Sequence, residues 1–242
     1  MFDPAEQFLT DAATHVGLVR KLNEDSYLCR PEIGVWIVAD GMGGYSGGDF
    51  ASQAIVGQVA ALDKNLGGAE LMRHLRDSML KSHALILQEA DRRASETMGS
   101  TAIALILAQG HFVCLWVGDS RLYHCREGEV SQLSVDHSLV NEWVEAGKLT
   151  PEEAENHPHG NVITRAIGVG DILEVDKVRG LYEPGDRFLL CSDGLTGYMD
   201  IEAVKNMLAN DPIDGIADRL IAGALAGGGR DNVSVIVVEV PY

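Results

Sequence analysis

Short apolar runs, bounded by glycine, aspartate and serine, recur along this chain. Gly34–Ala39 (GVWIVA), Thr101–Leu107 (TAIALIL), Phe112–Val117 (FVCLWV), Arg187–Cys191 (RFLLC) and Val233–Val238 (VSVIVV) are short and rich in β-branched or aromatic residues. Each predicts a buried strand. Ser120–Cys125 and Val130–Leu133 predict two more, joined by a turn at Glu127-Gly128-Glu129. A second period governs other segments. Ala51, Ile55, Val59 and Leu62 recur at helical spacing, and Met72, Leu75, Met79 and Ile86 carry it from Ala69 to about Ala94. Ile201–Ala209 and Ile213–Ala226 predict two further helices, with Asp200 and Asp211 as N-caps. The order is strands, two helices, a run of strands, two helices and a last strand. Strands that follow strands favour antiparallel sheets, and paired helices cover their outer faces. The expected fold is α+β: a four-layer α-β-β-α sandwich, two antiparallel sheets flanked by helix pairs.

The chain has 242 residues, enough to bury a substantial core, and shows no linker, low-complexity tract or solenoid-length repeat. Its 36 acidic and 19 basic side chains give a formal net charge of −17. A phosphate-backbone binder needs a basic face, so nucleic acid is excluded as a generic partner, and anionic membrane surfaces with it. No apolar run approaches the roughly 20 residues that span a bilayer. Met1–Thr10 carries acidic residues and no basic one, unlike a secretory leader. The four cysteines, Cys29, Cys114, Cys125 and Cys191, make no C-x-x-C pair. They read as reduced core residues rather than zinc ligands, which suits a cytoplasmic protein.

The aspartates are the most informative positions. Val35–Ala39 runs into Asp40, and Phe188–Ser192 into Asp193, each time opening the pattern Asp-Gly-x-x-Gly. Phe112–Gly118 runs into Asp119, and Asp231 with Asn232 precedes the last strand. One Asp-Gly alone is common turn chemistry. A carboxylate beside a buried strand is costly unless paired or bound to a cation, and glycines let the backbone approach a ligand closely. Aspartates at four comparable strand ends therefore predict one ligand site. Oxygen-only donors favour Mg²⁺ or Mn²⁺ over Zn²⁺, and no EF-hand loop is present. Gly17–Asp25 adds a cation among carboxylates. It reads either as a solvated turn with a local ion pair, or as Arg20 offering a planar fork to a phosphate while Glu24 and Asp25 hold metal-bound water.

GLVRKLNED (17–25), VADGMGG (38–44), GSTA (99–102), VGDSRLY (117–123), DHS (136–138), ITRAIG (163–168), LCSDGLTG (190–197) and GGRDNVSVIVV (228–238) follow one another along the chain. In kind and order they resemble the metal-dependent Ser/Thr protein phosphatases of the protein phosphatase 2C type, in their short bacterial single-domain form. The resemblance covers essentially the whole chain and implies one catalytic domain over residues 1–242, with a flap over about 139–166. It implies that Asp40 bridges two metal ions and that Gly41 gives one of them a backbone carbonyl. Asp193 and Asp231 complete the other ion's ligands. Asp119 resembles the ligand of a third, weaker ion, shared with Asp193. It further implies that Arg20 holds the substrate phosphate and that Glu24 and Asp25 act through bound waters. The implied cofactors are Mn²⁺ or Mg²⁺, and the implied reaction is hydrolysis of phosphoserine or phosphothreonine in proteins by a metal-activated water, with no phospho-enzyme.

One position departs from part of that family. Some eukaryotic members carry a histidine two residues after the bridging aspartate, where this chain has Met42. His137, His157 and His159 are the alternative proton donors, each weighed against a structural role. Trp143, in the flap, is a candidate substrate contact, whereas Trp36 and Trp116 read as packing residues. The implied partners are a phosphorylated protein substrate and a cognate Ser/Thr kinase in bacterial signalling, type VI secretion being one setting for such pairs. The implied state is a monomer. Two other readings compete: a phosphatase of this fold dedicated to one regulator, and a catalytically inactive binding module. The first would bring sensor domains and divergence around the Arg20 motif. The second would lose a metal aspartate or Arg20, and all are present.

Overall fold

The computed structural model describes residues 8–43, 47–94, 98–155 and 157–242. Gly44 of the first Asp-Gly-x-x-Gly pattern lies outside them, as do the first seven residues. The chain builds two antiparallel sheets. One has the order β1 (Leu9–His15), β11 (Val233–Glu239), β10 (Arg187–Cys191), β7 (Arg121–Arg126), β8 (Glu129–Gln132). The other runs β2 (Asp25–Arg30), β3 (Val35–Met42), β5 (Ala102–Ala108), β6 (His111–Val117), β9 (Asp176–Leu181), with the short β4 (Gly99–Ser100) also on β3.

Alternation along the strands assembles the layers. Trp36 and Val38 of β3 face the other sheet, where they meet Phe188, Leu190, Ile236 and Val238. Val35, Ile37 and Ala39 face the opposite way, onto Ile55 and Val59 of α1 (Gly47–Ala60) and Leu71, Leu75 and Met79 of α2 (Gly68–Arg93). On the far side Leu189, Val235 and Val237 pack against Val204 and Leu208 of α6 (Ile201–Asn210) and Leu220 and Ile221 of α7 (Ile216–Ala226). Side chains of successive strand residues point to opposite faces, so an unbroken apolar run serves two cores at once. The result is the expected four-layer sandwich. Three short helices complete the chain: α3 (Leu139–Glu145), α4 (Pro151–Glu155) and α5 (Asp193–Thr196).

Asp200 caps α6 as expected, its carboxylate accepting from the Ala203 amide at 3.0 Å. Asp211 does not cap α7. It sits at the C-terminal end of α6, and its carboxylate takes Arg219 at 2.8 Å. Gly215, at φ +71°, opens α7 instead. The four cysteines are free thiols, Cys114, Cys125 and Cys191 buried and Cys29 half-buried. Among the described residues no helix is long and apolar enough to cross a membrane.

Candidate active site

β3 and β10 run toward one end of the sandwich and β11 starts there, so their terminal aspartates converge. Arg20, Glu24, Asp40, Asp119, Asp193 and Asp231 line a single cleft of about 470 Å³. The backbone of Asp40 is fixed on three sides. Its amide donates to Thr101 Oγ1 at 3.1 Å, and its carbonyl accepts from Ser100 Oγ at 2.9 Å and the Thr101 amide at 2.8 Å. Gly41 donates to the Glu24 carbonyl at 3.1 Å, and a Cβ there would collide with the backbone of Gly48. Gly48 in turn donates to Glu24 Oε1 at 3.2 Å.

The carboxylates oppose one another's ionisation. Burial, then the neighbouring charges of Asp25, Asp193 and Asp119, hold Asp40 well above the usual carboxylate range. Burial, then the charge of Asp231, raise Asp193, against the opposing pull of Asp40, Arg121 and Arg20. Burial and Asp193 push Asp119 up to about 7. Burial alone leads in raising Glu24. Such mutual elevation within one cleft marks a site awaiting positive charge.

Arg20 supplies part of that charge. Its Nη2 donates to Asp231 Oδ2 at 2.7 Å, with the guanidinium about half exposed at the rim. The loop carrying it is clamped by Asn232, which accepts from the Glu24 amide at 2.8 Å and donates to the carbonyls of Val16 and Leu22 at 2.9 and 3.0 Å. Gly17, at φ +81°, turns this loop against the Asp231 backbone, where a side chain would collide. Sequence reasoning missed Asn232 as the clamp, and also Thr101, Asn161 and Ile163, which line the cleft. An asparagine directly after a strand-end aspartate was the only available signal for the first.

Asp25 is placed differently from Glu24. It is the register partner of Asp40 across β2 and β3, buried beneath the cleft rather than lining it. Its Oδ2 accepts from Ser192 Oγ at 2.8 Å, while its Oδ1 is buried without a partner. Burial pushes its carboxyl up to about 7.

These donors suit a hard divalent cation: all are oxygen, Asp40, Asp119 and Asp193 are crowded and raised, and one buried carboxylate oxygen beneath them is orphaned. Among the described residues, though, no group of three or more His, Cys, Asp or Glu side chains is already arranged to hold a metal ion. Asp231 is instead engaged by Arg20.

The histidines lie elsewhere. His137 Nδ1 accepts from the Gly118 amide at 3.0 Å, its Nε2 meets Asp176 Oδ2 at 3.2 Å, and its ring stacks on Trp116. It holds the root of the 139–166 segment. His157 and His159 pack edge-on to Trp143, centroids 5.3 and 6.0 Å away. None of these four lines the cleft, whereas Met42 does. Trp36 and Trp116 are buried packing residues, as expected.

The family described as Protein phosphatase 2C matches residues 18–222. PstP of Mycobacterium tuberculosis, a serine/threonine protein phosphatase, is 37% identical over 225 residues, covering 93% of this chain and 43% of PstP. The chain thus spans less than half the length of that relative. PhpP of Streptococcus pneumoniae, a protein phosphatase, is 37% identical over 237 residues, covering 93% of this chain and 95% of PhpP. Among solved structures, PppA, described as a key regulatory component of T6SS in Pseudomonas aeruginosa, gives a TM-score of 0.89 at 37% identity, covering 96% of this chain and 97% of its own. The catalytic domain of PstP, solved in complex with two manganese ions, gives 0.87 at 35% identity, covering 97% of this chain and 99% of its own.

Proposed function

Because the chain belongs to the protein phosphatase 2C family of serine/threonine protein phosphatases, we propose that it hydrolyses phosphoserine and phosphothreonine in proteins with the help of Mn²⁺ or Mg²⁺. The observation that carries this reading is the crowding of Asp40, Asp119 and Asp193, all raised by burial and by one another, in a cleft with Arg20 at its rim. Divalent cations, when bound, supply Lewis acidity: they acidify an attacking water and neutralise the phosphoryl oxygens.

This chain's residues have distinct roles in the reading. Asp40, the Gly41 carbonyl, Asp193 and Asp231 would hold two ions, with Asp119 and Asp193 offering a place for a third. Asp231 would hold one of these ions with its carboxylate, and Arg20, now paired with it, offers its planar fork to the substrate phosphate. Glu24, at the cleft wall, orients bound water. Asp25, beneath it, acts through its unpartnered Oδ1. Met42 has no proton to give the leaving group, and His137, His157 and His159 do not line the cleft to supply one. Residues 1–242 form one catalytic domain in this reading, with 139–166 as its flap. The physiological role is reversal of a Ser/Thr kinase, and the likeness to PppA supports a pathway linked to type VI secretion.

Hydrolysis of a phosphothreonine peptide by the purified protein, with EDTA, Mg²⁺ or Mn²⁺, tests the proposal beside Asp40→Asn and Arg20→Ala. Activity that needs a divalent cation, vanishes in Asp40→Asn and weakens in Arg20→Ala is the expected result. A folded protein that binds Mn²⁺ yet hydrolyses nothing would leave a binding module.

A further inference from the structure

A second groove, of about 340 Å³, opens along the segment that follows the flap. Thr164, Arg165, Val169, Ile172 and Leu173 are among its walls. Single exposed apolar residues are ordinary on a protein surface. Here Ile172, 82% exposed, and Val169, 47% exposed, line the same concavity.

The groove is continuous with the cleft in two ways. Along the chain, Asn161 and Ile163 line the cleft, and Thr164 and Arg165, the next residues, line the groove. In space, a Cβ placed on Gly99 would sit 2.9 Å from both Met42 Cε and Val169 Cγ2. Met42 of the cleft and Val169 of the groove therefore lean over one glycine, so an apolar side chain of each site flanks their junction.

The groove is also held open by its surroundings. Ser100 and Ile167 exchange two backbone hydrogen bonds of 2.9 and 2.8 Å. The Gly168 amide donates to His83 Nδ1 of α2 at 2.9 Å, and Leu173 is buried in the core beneath. Its one cation is already engaged: Arg165 meets Asp176 at 3.3 Å, with Glu174 at 4.0 Å. That leaves apolar surface, not a free cation, as what the groove offers a ligand.

We propose that this groove takes a bulky apolar side chain of the phosphoprotein substrate, one to three residues from the phosphorylated one. The cleft then reads the phosphate, and the groove reads the flanking sequence. The inference rests on the reading of the cleft as a phosphoprotein site. An extended peptide advances about 3.3 Å per residue, so a short flanking segment passing over Met42 leads its side chain toward Val169 and the groove beyond.

The test uses phosphothreonine peptides of otherwise glycine and serine, with one leucine moved through three positions on each side, assayed with Mn²⁺. At one position leucine raises kcat/KM about tenfold over the leucine-free peptide, chiefly through KM. Ile172→Glu brings that ratio close to one, and Ile172→Leu keeps it. The proposal is overturned if leucine helps at no position, or if Ile172→Glu leaves the ratio intact. It is also overturned if the protein sediments as a dimer that Ile172→Glu dissociates, which would assign the groove to a second copy. Wild-type protein that hydrolyses neither the peptides nor p-nitrophenyl phosphate would instead overturn the phosphatase reading, and the groove's role with it.

Discussion

Arg20 and Asp231 meet at 2.7 Å, guanidinium to carboxylate, although 211 positions separate them in the chain. Each has a second use in the proposed reaction, and the two uses exclude the pair. Arg20→Ala is therefore expected to lower kcat/KM for a phosphopeptide by about a hundredfold while leaving Mn²⁺ affinity equal or tighter. Asp231→Asn is expected to lose both. Isothermal titration with Mn²⁺, run beside peptide kinetics, separates the two. Weaker Mn²⁺ binding by Arg20→Ala would show that the arginine supports the site rather than competing for its carboxylate.

Asp193→Asn removes one charge from a set whose members raise one another's pKa. The variant is expected to fold and to lack turnover. Without divalent ions it should melt higher than the wild type, by a few degrees for about 1 kcal/mol of relieved repulsion. The rise in melting temperature that Mn²⁺ gives the wild type should shrink or disappear. Thermal melts of both proteins in EDTA and in Mn²⁺ check this. An EDTA melt lower than the wild type would mean that Asp193 contributes structure its charge does not oppose.

Asn232 makes three hydrogen bonds to the loop that carries Arg20. Asn232→Ala strands the Glu24 amide and the Val16 and Leu22 carbonyls in a part-buried setting. A loss of about 2 kcal/mol is expected from denaturant unfolding, since buried polar groups left without partners cost more than the bond itself contributed. KM for phosphopeptide should rise as the arginine loses its fixed position. An unchanged KM with lowered stability would confine Asn232 to folding.

His137 gives the fold a pH dependence of known sign. Burial lowers its pKa, against the opposing pull of Asp176, while Arg165 adds to the lowering. The folded state therefore binds fewer protons than the unfolded state between the lowered pKa and the ordinary value near 6.5. Stability from the neutral ring is complete above about pH 6.5 and is lost as pH falls through the folded pKa. His137→Gln can still accept from Gly118 and donate to Asp176, but does not titrate. Melting curves from about pH 5 to 8 should show a shallower acid slope for the variant. Equal slopes would remove His137 from the pH response.

What the sequence revealed follows from local chemistry. β3, β5, β6, β10 and β11 are buried apolar runs, and their strand-end aspartates stand out against them. β1 and β9 escaped notice because neither has such a run. β1 is a half-exposed edge strand (LTDAATH), and β9 is a charge-rich strand at another edge (DKVRGL). Asp211 misled because an aspartate before a helical period is a good cap in isolation, yet Arg219 engages it. The separate roles of Glu24 and Asp25 were equally hidden. Asp25 is hydrogen-bonded by Ser192, 167 residues away, and no local pattern encodes that contact.

The pairing of β1 with β11, Leu9 opposite Glu239 and His15 opposite Val233, has a consequence for biosynthesis. While a ribosome is still making the last strand, β1 has no neighbour, β10 is paired on one side only, and Arg20 has neither its clamp nor its counter-ion. Non-local strand pairing is the slow step in forming such sheets. A nascent or prematurely terminated chain that lacks residues 231–239 therefore cannot assemble the cleft, which closes only when translation has passed β11.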